Sequence, residues 1–298
     1  MAFTGTQCII IILLIRFVQQ YSSKSSSLLL PKTFYGNTKY FMLTKLLAAA
    51  LALILLVISG EYTKIDPLTA LISAGSGIML VVSSVCGLYA IKNGTMALSS
   101  MFATAGLIVP CVAGIFLYDE QMSVWQWCGV VLFLASSWLL IGASKKMYAS
   151  FSLKTVFLLV GSLLSNGITM TLQTVFKRTV TDGSVTAFSF LSFMIPALLL
   201  LVFLGGFRLH NPAVCHEKLQ RKLILFALIS AAALFAVNQL ATFATDKVEP
   251  VILFTFINGG NTIIAAVIAA LFFKEKFTVR SAVGILVGVA ALVIVKAL

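Results

Sequence analysis

Leu117-Tyr118-Asp119-Glu120-Gln121-Met122-Ser123-Val124 leads into an apolar run from Cys128 to Gly142, and the chain then repeats the pattern. The second copy, Phe272-Phe273-Lys274-Glu275-Lys276-Phe277-Thr278-Val279, leads into Val283 to Val295. Glu120 pairs with Glu275, Ser123 with Thr278, Val124 with Val279, Gly129 with Gly284 and Ala135 with Ala290, each at an offset of 155 residues. That offset is close to half of the 298-residue chain, so the pattern marks an internal duplication. The match extends outward: Leu71–Leu140 aligns with Phe226–Val295, placing Lys92 on Lys247. Nearer the N-terminus the offset becomes 154, and Gln19 to Lys24 faces Gln173 to Arg178.

Composition names the solvent. Hydrophobic residues make up 60% of the chain and charged residues only 10%, with a mean hydropathy of +1.07. Soluble domains carry about 25% charged residues, so this chain cannot cover itself with polar surface and belongs in lipid. Ten apolar segments follow, at roughly 3–21, 39–59, 68–91, 95–118, 124–143, 153–176, 184–207, 222–244, 249–273 and 278–297. Each approaches the ~20 residues that a helix needs to cross ~30 Å of hydrocarbon. Runs such as Leu46 to Ile58 lack the alternation of a barrel strand. The expected fold is therefore an all-α membrane protein of ten transmembrane helices.

Five helices per half is an odd number, so the second half enters the membrane with the opposite sense. Two inverted repeats result, residues 1–148 and 149–298, joined near Lys145-Lys146. Inverted repeats are transporter architecture, with the substrate site near the midplane where the repeats meet. Ile9 to Val18 reads as a retained first helix, since no basic leader or cleavage site accompanies it. Ser22 to Thr38 and Arg208 to Arg221 read as the longer links within the halves.

The net charge of +12 resides mainly in these links, where Lys and Arg set topology and meet lipid head groups. No basic patch interleaved with aromatics is visible, so nucleic acid is not an expected partner. The five cysteines show no disulfide or CxxC spacing. His210, Cys215, His216 and Glu217 match no metal-ligand pattern, and neither a metal nor a cofactor is expected.

Two inverted five-helix halves, each carrying a Glu-x-x-Ser/Thr block before a glycine-bearing last helix, resemble the drug/metabolite transporter superfamily. The nearest resemblance is to its EamA-type transporters, with some similarity to nucleotide-sugar transporters in Val124-Trp125-Gln126-Trp127. The resemblance implies a multi-pass protein of the plasma (inner) membrane that handles a small-molecule substrate, with a homodimer left open. Lys45, in Tyr40-Phe41-Met42-Leu43-Thr44-Lys45, matches a basic residue common near the start of the second helix in these families. The repeated block itself reads as structural: Ser123 and Thr278 can cap helices, while Gly129, Gly284 and Gly288 let backbones approach.

Polar groups inside hydrocarbon are costly and usually face a cavity or a partner. Arg16 lies deep in the first helix, and Lys45 about a turn and a half into the second. The amides Gln19, Gln20, Asn166, Gln173, Asn238, Gln239, Asn258 and Asn261 complete the candidate substrate site. Interhelical hydrogen bonding is the competing reading for each amide. Ser99, Ser100 and Thr104 add hydroxyls, and Asn258-Gly259-Gly260-Asn261 reads as a weak point of its helix. All nine Asp and Glu residues lie in links or at helix ends, Glu249 beside Pro250 reading as a helix cap.

A chain with buried cations and no buried acids suits a secondary transporter of a small polar or anionic metabolite. The alternatives are a multidrug or amino-acid exporter of the same superfamily, a membrane-embedded enzyme, or a transport-inactive scaffold. The enzyme reading lacks paired carboxylates or a nucleophile with a base at one depth. Orientation divides two signals. Fourteen bases collect on one side and five on the other, Arg16 and Lys45 aside. The positive-inside rule then puts both termini outside, whereas the resemblance implies cytoplasmic termini. The charge count, resting on this chain's own residues, is followed here.

Overall fold

The computed structural model describes residues 4–31, 33–93, 96–141, 153–210, 219–273 and 278–297. The Lys145-Lys146 link, the Cys215–Glu217 cluster and Glu275 fall outside them. Among the described residues every regular element is a helix: α1 (Gly5–Leu29), α2 (Phe34–Ile58), α3 (Pro67–Asn93), α4 (Met96–Ala105), α5 (Ile108–Tyr118), α6 (Val124–Ile141), α7 (Leu153–Thr179), α8 (Val185–His210), α9 (Arg221–Ala244), α10 (Pro250–Phe273) and α11 (Val279–Ala297), with a 3-10 turn at Glu61–Lys64. Six of these are long and apolar enough to cross a membrane: α2, α3, α7, α8, α9 and α10. Phe102–Tyr118, Val124–Leu140 and Val279–Val295 are shorter apolar stretches.

Two expected boundaries are corrected. The link expected over Ser22 to Thr38 is mostly helix, because α1 runs on to Leu29 and α2 already starts at Phe34. Serines are tolerated there because their hydroxyls find partners. Ser26 and Ser27 donate to carbonyls three residues back, and Ser22 meets Ser230 Oγ at 2.9 Å on α9. The expected fourth segment is broken into α4 and α5 at Gly106-Leu107. Pro110 has no N–H to offer the Gly106 carbonyl, and the chain uses tight i→i−3 bonds at the break instead. Gly106 also crosses α7 closely, where a Cβ would lie 3.1 Å from the Gly167 nitrogen.

Local signals elsewhere match the expected chemistry. Ser123 Oγ accepts from Gln126 N at 3.1 Å while Gln126 Oε1 accepts from Ser123 N at 3.0 Å, a capping box that starts α6. Thr278 Oγ1 accepts from Ser281 N at the start of α11. Asp119 takes the left-handed conformation (φ 51°) that ends α5 and returns Glu120 over Gly114.

The packing follows the 155-residue offset. Helices α6 and α11, the two copies of the repeated block, lie against each other. Gly129 faces Ala291 and Val295 of the partner helix, while Gly284 faces Leu139 and Leu140. Ser136 Oγ donates to Gly284 O at 2.7 Å, and Gly288 lies over that hydroxyl. Offset by 155, Gly129 becomes Gly284, and Leu140 becomes Val295, so the contacts are reciprocal. Likewise α3 packs on α7 as α9 packs on α1, and α3 on α8 as α9 on α2. The largest buried cluster gathers Ile12, Leu107, Phe133, Val237, Phe254 and Ala291 from both halves.

Candidate functional site

Arg16 and Lys45 are each the twelfth residue of a 25-residue helix, α1 and α2. At 1.5 Å per residue both side chains leave the helix about 16 Å from its start. Lys45 therefore sits about three turns into α2, deeper than the turn and a half expected. It is only 8% exposed, and its Nζ lies 5.5 Å from the centre of the Phe193 ring. Arg16 donates from one terminal nitrogen to Gln19 Oε1 at 2.7 Å, and its buried Nε has no partner. No ion pair to either cation occurs among the described residues.

Both cations open onto one cavity of about 280 Å³ between the halves. Ser83 and Ser84 come from α3, Asn166, Thr169 and Gln173 from α7, and Asn238 from α9. Met170, Phe193 and Phe254 supply apolar walls. Several lining residues are repeat equivalents: Arg16 corresponds to Met170 and Ser83 to Asn238. The first half thus brings charge and hydroxyls where the second brings a thioether and an amide.

The other sequence-predicted residues are placed around this cavity or away from it. Gln19 touches Arg16 but is not in the lining. Gln20 Nε2 donates to Asn261 Oδ1 at 2.7 Å, tying α1 to α10. Gln239 belongs to a chain of bonds in which Gln173 donates to Asn238, Asn238 to Ser189 and Ser189 to Gln239, which donates to Thr186. Asn166 Nδ2 donates to Ala103 O at 2.7 Å, a carbonyl that also accepts from Gly106 N at the break after α4. Asn258 bonds back to Phe254 O at 2.9 Å. The Asn258-Gly259-Gly260-Asn261 stretch is a regular part of α10, correcting the expected weak point; its glycines admit Phe133, Leu292 and Leu13. Ser99 donates to Gly87 O on α3. Ser83, Thr169 and Phe193 are cavity residues that the sequence reading missed, since Ser, Thr and Phe are too common in apolar helices to stand out.

Acidic groups meet their partners at the helix ends. Glu120 Oε1 pairs with Arg178 at 2.6 Å, and the guanidinium also lies 4.4 Å from the Tyr118 ring centre and donates to Thr245 O. Lys177 pairs with Asp246 at 3.6 Å. Glu249 accepts from Gln126 at 3.2 Å, a bridge from α10 to α6, and Glu61 accepts from Ser184 at 2.6 Å. Asp66 accepts from Thr69 N at 3.0 Å, and the nearby Thr69 side chain and backbone N–H hold its carboxyl below the usual range. A second hollow of about 360 Å³ lies among these ends, lined by Thr63, Asp66, Thr181 and Asp182. No group of three or more His, Cys, Asp or Glu able to hold a metal occurs among the described residues.

Six apolar helices long enough to cross a membrane mark a multi-pass integral membrane protein. Residues 153–297 match the model of the EamA-like transporter family. That match covers the second half of the chain and supports the identification as an EamA-type transporter of the drug/metabolite transporter superfamily. A solved structure described only as "Crystal structure of protein" is similar in fold, with a TM-score of 0.77 at 10% identity over 97% of this chain and 96% of the other. At that identity the likeness is one of fold alone, and it extends over both halves. No curated protein matches the sequence.

Proposed function

We propose that the protein is a secondary transporter that moves a small polar or anionic metabolite by alternating access between two inverted five-helix repeats, 1–148 and 149–298. The observation that carries the proposal is the pairing of Arg16 and Lys45 in one cavity with no carboxylate among the described residues of its lining. With α1 taken as one of the ten spans, an Arg at its centre costs ~2.5–3.5 kcal/mol on insertion scales. Evolution tolerates that cost where the charge has a task, and a planar guanidinium fork suits carboxylate or phosphate. The reciprocal packing of α6 on α11, and of α3 on α7 with α9 on α1, supports the repeat reading. A bound anion would neutralise the site from inside, and rocking of one half against the other would carry it across.

Uptake and counterflow of a metabolite panel in proteoliposomes test this reading. Transport of small anions, little altered by a pH gradient, is the expected result. Vigorous proton antiport of organic cations would contradict it, because that chemistry needs a buried carboxylate to bind cation and proton in turn.

A further inference from the structure

We infer that the cavity takes a compact anion bearing two negative charges, one held by Arg16 and one by Lys45. The inference rests on the anion reading above and adds the charge number. Both cations stand at the middle turn of their helices, on α1 and α2, and open onto the same space. Among the described residues the lining contains no Asp or Glu. The carboxylates of Glu61, Glu120, Asp246 and Glu249 are engaged elsewhere, at helix ends.

A single negative charge would leave one of these cations uncompensated in a low-dielectric site, where an unpaired charge is strongly unfavourable. Lys45 is nine-tenths buried, and its recorded neighbour is a ring face 5.5 Å away, too weak a contact to replace an anion. Arg16 spends one nitrogen on Gln19 and leaves Nε bare. A dianion neutralises both at once. The space of about 280 Å³ lies just below the ~300–1,000 Å³ typical of drug-sized ligands, so the body joining the charges is small. Ser83, Asn166 and Asn238 face its uncharged part. A short dicarboxylate and a phosphate monoester both meet these terms.

Matched probes separate charge from size. Binding of succinate against succinamate, and of methyl phosphate against dimethyl phosphate, is measured on the purified full-length protein at pH 7.5. Within at least one pair the dianion binds about tenfold tighter or more, as expected for one extra charge-assisted contact. The pair that shows the preference identifies carboxylate or phosphate as the carrier. Lys45→Met brings the ratio close to one, Lys45→Arg preserves it, and circular dichroism with melting checks that both variants fold. Equal binding of monoanion and dianion in both pairs, still dependent on Arg16, overturns the two-charge inference while leaving the anion reading intact. Failure of all four probes to bind overturns both.

Discussion

At the residue scale, Glu120 and Arg178 show how the repeated block acts. Asp119 accepts a left-handed backbone, which places the Glu120 carboxylate against Arg178 at the end of α7. The two side chains are 17% and 23% exposed, so solvent screens the pair in part. The expected coupling lies between the ~0.2–1 kcal/mol of exposed pairs and the ~3–5 kcal/mol cost of breaking a buried one. A double-mutant cycle with Glu120→Gln and Arg178→Met, read by thermal melting, checks this. Additive single effects would reduce the pair to an incidental contact. The sequence revealed Glu120 through the duplication, but its partner lies 58 residues away and carries no local signal. The amides were equally ambiguous for a geometric reason. Neighbouring helical residues point ~100° apart, so Gln19 meets Arg16 while Gln20 turns to Asn261.

At the element scale, the sequence was legible wherever periodicity and capping agreed. The capping box of α6, the Thr278 cap of α11 and the small-residue face of Gly284 and Gly288 all stand in the residues. The α4–α5 break was harder to read, because Pro110 early in a helix is ordinarily compatible with a continuous run. What adds to it is the crossing of Gly106 over Gly167, a contact between halves that no local window contains. Gly284→Leu and Gly288→Leu should separate α6 from α11, since a Cβ at Gly284 already reaches 2.9 Å from Leu140 and one at Gly288 2.6 Å from Ser136 Oγ. Overpacking of this kind costs typically ~1–3 kcal/mol. Lower melting temperatures with an unchanged substrate profile are expected. A well-folded variant with altered selectivity would move α11 from packing into recognition.

At the scale of the whole molecule, the duplication made the pairing of helices, such as α6 on α11, readable before any contact was known. An offset of 155 residues, 154 in the first helix of each half, orders both the sequence match and the exchange of helix partners. If the halves move as units, a short Gly/Ser insertion after Ala149 should preserve membrane insertion and transport, which expression and uptake assays would show. The charge asymmetry of fourteen bases to five predicts external termini, so a topology reporter fused after Leu298 should give an external signal, and a cytoplasmic signal would side with the resemblance. The central claim is that Arg16 stands in the translocation cavity to hold the anion. Its most direct test is anion uptake by proteoliposomes carrying wild type, Arg16→Ala or Arg16→Lys, each paired with its melting temperature. Arg16→Ala should abolish uptake while melting at or slightly above wild type, because an uncompensated buried charge is removed, and Arg16→Lys should keep a fraction of the rate. Normal uptake by Arg16→Ala, or a loss traceable to unfolding, would contradict the claim and return Arg16 to a structural role.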